Sequence, residues 1–337
     1  MVFPQPEIIA VNGVELAVYE APPLGGAKDV PPIILCHGFP ELAYSWRHQL
    51  PALSGAGYHA IAPDQRGYGA SSSPTGISAY HAKELAGDLI GLLDAKGIDK
   101  AIFCGHDWGS LVMWTLPFYA PERLAGIISL NVPFLARRPH DPITMMNARF
   151  GESNYINYFQ TPEAPEKLFE ADIEKTFRFF MRKANKVKKL DNPMSKPNVA
   201  LQELFQIDES LWPSEVLLNA EELEYFTEKF SKNGFNGPIN WYRNFVANWQ
   251  DMERFQPEGA TPPQINIPTL MILAENDGVL PPSLAEGMDN YCTDMTTHLV
   301  KDCGHWTQQE KPDEVNEVII KWLQENADSL SAGAIKK

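Results

Sequence analysis

The sequence predicts an α/β fold: a mostly parallel eight-stranded sheet flanked by helices, with a helical segment inserted between the sixth and seventh strands. Three observations carry this reading. Short apolar runs ending in turn residues alternate with amphipathic stretches through the first 131 residues. From about residue 141 to 251 the strand pattern gives way to aromatic and charged residues at helical spacing. The strand pattern then returns in "IPTLMILAEND" and "THLVKDCGH", ahead of a last amphipathic stretch.

Taken in order, "IIAVNGVELAVYE" reads as a hairpin about Asn12-Gly13, a strong turn dipeptide. "PPIILCHG" gives a buried third strand at 33–36, "YHAIAPD" a fourth at 58–62, "AIFCGHD" a fifth and "AGIISLN" a sixth. In "AKELAGDLIGLLDAKGI", Leu85, Leu89, Leu92 and Leu93 line one helical face, and Gly97 closes the helix. "EKLFEADIEKTFRFFMRKA" and "NAEELEYFTEKF" carry helical spacing inside the insertion, and "PDEVNEVIIKWLQENA" closes the core. The expected organisation is a first core part over 1–138, a helical cap over 139–257 and a second core part over 258–337, with the tail "SLSAGAIKK" frayed.

Composition narrows the function classes. A chain of 337 residues, 44% hydrophobic and 21% charged, suffices for one large core and an inserted subdomain. Its net charge of -15, from 43 acidic and 28 basic residues, argues against nucleic acid and anionic membrane surfaces as partners. The start "MVFPQPEIIAVNG" lacks a basic and then apolar leader pattern, and no apolar run reaches membrane-spanning length, so a cytoplasmic location is expected. Cys36, Cys104, Cys292 and Cys303 have no metal-ligand spacing and are expected to be reduced and structural. No metal or cofactor is expected, and nothing in the sequence specifies an oligomeric state.

In a parallel α/β sheet the reactive groups gather at the carboxyl ends of strands. The fifth strand ends in "FCGHDWGS", which reads as a nucleophile elbow with Gly105 and Gly109 giving clearance around Asp107. A carboxylate attacking an ester would give a mixed anhydride, so another electrophile is implied. The third strand ends in "HGFPE", where the Phe39 N–H can form half of an oxyanion hole, with the Trp108 N–H as the other half. The seventh ends in "AENDGVL", offering Asp277, and "DCGHWT" after the eighth offers His305. The end of the sixth strand is a competing place for the acid, but Asn131 stands there. Singly, Asp107 reads as a helix cap, Asp277 as an Asx-turn residue and His305 as structural; jointly, in the order nucleophile, acid, histidine, they read as a triad. His37 is expected to brace its loop, and His106 to pack beside Asp107.

"HGFPE", "SWRHQ", "DQRGYGASSSP", "GHDWG", "NYFQ", "GPINWYRN" and "DCGHWTQ", spread from residue 35 to about 322, resemble the soluble epoxide hydrolases of the α/β-hydrolase superfamily. The likeness is greatest to the hydrolase domain of the mammalian soluble enzyme; the 337 residues leave no room for that protein's additional phosphatase-like domain, so nothing about phosphatase activity carries over. The resemblance implies an α/β-hydrolase fold with a helical cap and hydrolysis of epoxides to vicinal diols. It makes Asp107 the nucleophile, His305 the base and Asp277 its partner. It also makes Tyr155 of "NYINYFQ" and Tyr242 of "NWYRN" a pair that holds the epoxide oxygen and puts Pro40 in a cis bond. A phenol with pKa about 10 stays protonated at neutral pH and can deliver its proton as charge develops.

An aromatic and aliphatic lid implies a lipophilic epoxide as the small-molecule substrate. Trp46, Phe235, Trp241 and Trp306 either line the pocket or fill the lid interface. Two other readings stand beside this one. A haloalkane dehalogenase uses the same Asp and His but needs halide donors, of which Trp108 could be one; it usually carries Asn or Glu where Phe39 stands and lacks the tyrosine pair. A non-catalytic ligand-binding member of the fold is the other, and the intact Asp107, Asp277 and His305 set argues against it.

Overall fold

The computed structural model describes residues 3–26, 28–184, 200–261 and 263–331. Its eight strands are β1 (Glu7–Val11), β2 (Val14–Ala21), β3 (Ile33–Cys36), β4 (Ala60–Asp64), β5 (Ala101–His106), β6 (Leu124–Leu130), β7 (Thr269–Ala274) and β8 (Met295–Val300). They form one sheet in the order β1-β2-β4-β3-β5-β6-β7-β8. β2 pairs antiparallel with β1 and β4, and every other pairing is parallel. The chain turns from β1 into β2 at Asn12 and Gly13, both at positive φ, as expected of this dipeptide.

The fourth strand begins two residues later than its apolar run suggested and extends through Pro63 to Asp64. Pro63 has no N–H for a ladder, yet it pairs only on the β2 side, opposite Val18, while β3 contacts β4 only at Ala60 and Ile61.

Around the sheet lie α1 (Gln49–Gly55), α2 (Ala82–Ala95), α3 (Trp108–Met113) and α4 (Leu116–Tyr119). Between β6 and β7 follow α5 (Pro142–Phe150), α6 (Tyr155–Tyr158), α7 (Ala164–Glu170), α8 (Ile173–Phe180), α9 (Leu201–Gln206), α10 (Ala220–Asn233), α11 (Asn236–Arg243) and α12 (Phe245–Asp251). Here the described residues hold no strand, only an isolated bridge between Arg182 and Val216. α13 (Thr307–Glu310), α14 (Pro312–Glu325) and α15 (Ala327–Ser331) complete the chain. Local chemistry sets several boundaries. Asp172 caps α8 by accepting from the Lys175 N–H at 2.8 Å. Asn219 and Glu222 form a capping box that starts α10. Part of the tail expected to fray is helical, because Leu330 is buried against the sheet near Gly126; residues 332–337 lie outside the described residues.

The central strands β3 to β7 are buried on both faces. In β3 the side chains alternate, Ile34 and Cys36 joining one apolar cluster and Ile33 and Leu35 the other. The first cluster takes Leu85, Leu89 and Leu92 of α2 and runs without a break into Phe159, Phe169, Phe177, Phe226 and Phe235 of the insertion. The second takes Leu50 and Leu53 of α1 and Ile319 and Trp322 of α14. Polar contacts also join the insertion to the sheet region: Arg47 Nε donates to Glu222 Oε1 at 2.6 Å, and the Trp306 indole donates to the Phe180 carbonyl at 2.9 Å. Among the described residues no helix is long and apolar enough to cross a membrane.

Candidate active site

Asp107 lies between the end of β5 and the start of α3 with φ 50 and ψ -121, in the region that side-chain-bearing residues rarely adopt. Three glycines make this turn possible. A Cβ on Gly105 would stand 2.6 Å from the Ser110 nitrogen, one on Gly109 2.1 Å from the Cys36 carbonyl oxygen, and one on Gly38 2.5 Å from Asp107 Cβ. The elbow therefore thrusts the Asp107 carboxylate up from the sheet, held tightly against the loop after β3.

The two carboxylate oxygens have different surroundings. Asp107 Oδ1 accepts from the Phe39 N–H at 2.8 Å, while Oδ2 faces His305 Nε2 at 3.8 Å. Trp108 is the first residue of α3, where the amide N–H has no partner within the helix. The Phe39–Pro40 bond is cis. His305 Nδ1 lies 2.9 Å from Asp277 Oδ2, and Asp277 Oδ1 accepts from the N–H groups of Val279 and Leu280 at 2.8 and 2.9 Å. With Nδ1–H given to Asp277, Nε2 is left to face Asp107.

Electrostatics follow from this packing. Burial alone would raise the Asp277 pKa, but His305, the Leu280 N–H and the Asn131 amide hold it well below the usual carboxylate range. Burial likewise pulls His305 down; the carboxylates of Asp277, Asp107 and Glu41 outweigh it and raise His305 to about 9.

Tyr155, at the start of α6, and Tyr242, in α11, come from the insertion and face the same cavity as Asp107 and His305. Their ring centroids are 6.1 Å apart. Burial first, then for Tyr155 the Asp107 charge, pushes both phenols above their ordinary value, so both remain protonated across the neutral range. The cavity, about 140 Å³, is walled largely by apolar groups, among them Phe39, Phe180, Leu204, Trp212, Val279 and Trp306. Of the four aromatics left open by the sequence, Trp306 lines this cavity. Trp46 is buried under the sheet, Phe235 packs among Phe169, Phe177 and Phe230, and Trp241 donates to the Arg66 carbonyl at 3.1 Å.

His37 braces its loop as expected, accepting from the Gln65 N–H at 3.0 Å. His106 does more than pack. Its Nδ1 lies 2.6 Å from Glu41 Oε2 and its Nε2 2.8 Å from the carbonyl of His305. Glu41, fully buried, also accepts from the Gly38 N–H and from the side chains of Gln308 and Gln309 at 2.8, 2.8 and 2.9 Å. Sequence reasoning missed Glu41; the signal available was an acidic residue inside the otherwise apolar "HGFPELA".

This geometry can deliver a carboxylate to an electrophilic carbon, hydrogen bonds to the departing atom from the tyrosines, and a base to a following water. The comparisons with known proteins agree on the class. Residues 31–312 match the family described as alpha/beta hydrolase fold. Epoxide hydrolase A of Mycobacterium tuberculosis is 38% identical over 329 residues, covering 95% of this chain and 97% of that protein. Bifunctional epoxide hydrolase 2 of Sus scrofa is 38% identical over 88% of this chain, which spans only 52% of the relative's length. The crystal structure of epoxide hydrolase A from Mycobacterium thermoresistibile superposes with a TM-score of 0.85 at 39% identity, covering 95% of this chain and 98% of that one. The fold and site thus define an α/β-hydrolase with an aspartate at the elbow. Within that class, the chain belongs to the epoxide hydrolase family.

Proposed function

We propose that the chain hydrolyses epoxides to vicinal diols through a covalent ester on Asp107. The observation that carries this reading is the split environment of Asp107, whose Oδ1 is held by the Phe39 N–H while Oδ2 faces His305 Nε2 and the cavity shared with Tyr155 and Tyr242. In the first step Oδ2 attacks a ring carbon of the epoxide, the C–O bond breaks, a tyrosine proton passes to the departing oxygen, and the tyrosinate takes a proton back from solvent. Oδ1 becomes the ester carbonyl, already in contact with an oxyanion-hole donor. In the second step His305 takes a proton from water, which attacks the Asp107 carboxyl carbon. The tetrahedral oxyanion forms on Oδ1, the bond to Oδ2 breaks, His305 returns the proton to the leaving diol, and the Asp107 acid so formed loses the second water proton to solvent and is again a carboxylate.

The change of charge between the steps suits His305 to the second. Esterification removes the Asp107 negative charge, one of the carboxylates that raise His305, so the imidazole becomes less basic when it must act as a neutral base. Asp277 stays ionised, fixes the ring and stabilises the imidazolium.

In this reading residues 139–257 act as a cap over core parts 1–138 and 258–337, supported by the continuous aromatic cluster and the bond from Trp306 to the Phe180 carbonyl. The apolar lining supports a lipophilic substrate, and four buried free thiols suit a reducing, cytoplasmic setting. A panel of epoxides, carboxylic esters and alkyl halides tests the assignment. Diol from the epoxides with little turnover of the other two is expected; preferential halide release, or no product from any of the three, would overturn it.

A further inference from the structure

Asn131 stands where β6 ends, at φ 67, a conformation asparagine tolerates better than most residues. It is buried, and its amide nitrogen is turned toward the histidine and its acid. Nδ2 donates to Asp277 Oδ2 at 2.6 Å and to the His305 carbonyl at 3.2 Å, while Oδ1 accepts from Thr307 Oγ1 at 2.7 Å. Asp277 Oδ2 is the oxygen that also meets His305 Nδ1. One amide thus grips both the carboxylate oxygen that orients the ring and the main chain that carries it. An apolar residue here would leave that oxygen with one donor fewer, and a carboxylate would set a second charge against it.

We propose that Asn131, oriented by Thr307, is a positioning residue for the second half-reaction, aligning Asp277 and His305 for ester hydrolysis while contributing little to epoxide opening. This rests on the two-step reading above. Opening uses Asp107 and the tyrosines, none of which touches Asn131 by a hydrogen bond; hydrolysis uses the Asp277–His305 pair, which does.

The test is single-turnover kinetics with an epoxide substrate across pH on the full chain, comparing wild type, Asn131→Gly and Thr307→Val. Glycine accepts φ 67 without strain, and Thr307→Val keeps both shape and backbone. The glycine variant is expected to open the epoxide within about threefold of the wild-type rate but to hydrolyse the ester about ten- to a hundredfold more slowly, the scale of a lost hydrogen bond to a charged group. With Asp277 less well satisfied, His305 holds its proton more tightly, so the midpoint of the hydrolysis step moves to higher pH. Thr307→Val is expected to shift the same step in the same direction by less, and it decides the matter if the glycine variant does not fold. Equal losses in both steps, or a hydrolysis rate and midpoint unchanged from wild type, would overturn the proposal. The wild-type control keeps the two levels apart: if no ester forms on Asp107, it is the two-step reading that fails.

Discussion

His305 Nε2 faces Asp107 Oδ2 across 3.8 Å, too far for a direct hydrogen bond, while its Nδ1 is held by Asp277 at 2.9 Å. A histidine so placed does not need to deprotonate the nucleophile. In the proposed mechanism it is held beside the oxygen that becomes the ester bridge, with its reactive nitrogen free to meet a water.

His305→Gln should therefore still open epoxides and then stall. Mass spectrometry after mixing with substrate should find the protein heavier by one substrate molecule, on a peptide containing Asp107. Full turnover, or an adduct on another residue, would count against the division of labour.

The pH dependence has a definite sign. Ester hydrolysis requires neutral His305, so its rate should rise with pH through the histidine's pKa in the alkylated enzyme. That midpoint should lie below the value of about 9 in the free enzyme, since the Asp107 charge has gone. Stopped-flow measurement of the second step against pH, beside an NMR titration of His305 in the resting enzyme, gives both numbers. A hydrolysis midpoint above the resting one would contradict the account.

For the tyrosines, Tyr155→Phe and Tyr242→Phe should each slow alkylation and leave residual activity, because the other phenol still faces the same cavity. The double variant should lose about 10² to 10⁴-fold in alkylation, the range of general acid catalysis. Tryptophan fluorescence of Trp108 and Trp306, close to the reacting groups, offers the signal. Near-wild-type alkylation in the double variant would make the pair packing residues only.

Gly38→Ala should damage the site far more than a comparable change elsewhere. The added Cβ would sit 2.5 Å from Asp107 Cβ, so the carboxylate or the oxyanion loop must move, and a displacement of about 1 Å can cost about 10²-fold in rate. Gly55→Ala at the end of α1, where nothing lies within 4 Å, is the control and should leave activity intact. Similar activity in both variants would contradict the close packing of the elbow.

Much of the fold and the site is legible in the sequence because both are coded locally. Strand ends carry Asp107, Asp277 and His305 in short motifs, and the order of those motifs along the chain restricts the topology. What could not be read depends on residues far apart in the chain. His106 meets the His305 carbonyl across 199 positions and Glu41 across 65, and only packing brings them together. Asn131 was visible as the residue that is not an acid at the end of the sixth strand; that its amide holds both Asp277 and His305 emerges from the turn after β6 and the loop after β8. The start of β4 was misread because its apolar run begins inside the turn after α1, where Tyr58 N–H bonds back to the Leu53 carbonyl.

The central claim is that water attacks the enzyme's own ester and not the epoxide. A single turnover in heavy-oxygen water, with enzyme in excess over a lipophilic epoxide, separates the two by mass spectrometry of the diol and of the Asp107 peptide. If Oδ2 is the nucleophile, that oxygen departs in the diol and the water oxygen remains on Asp107, so the label should appear in the Asp107 peptide and the diol should be unlabelled. A labelled diol with an unlabelled Asp107 would mean direct attack of water on the epoxide and would contradict the account.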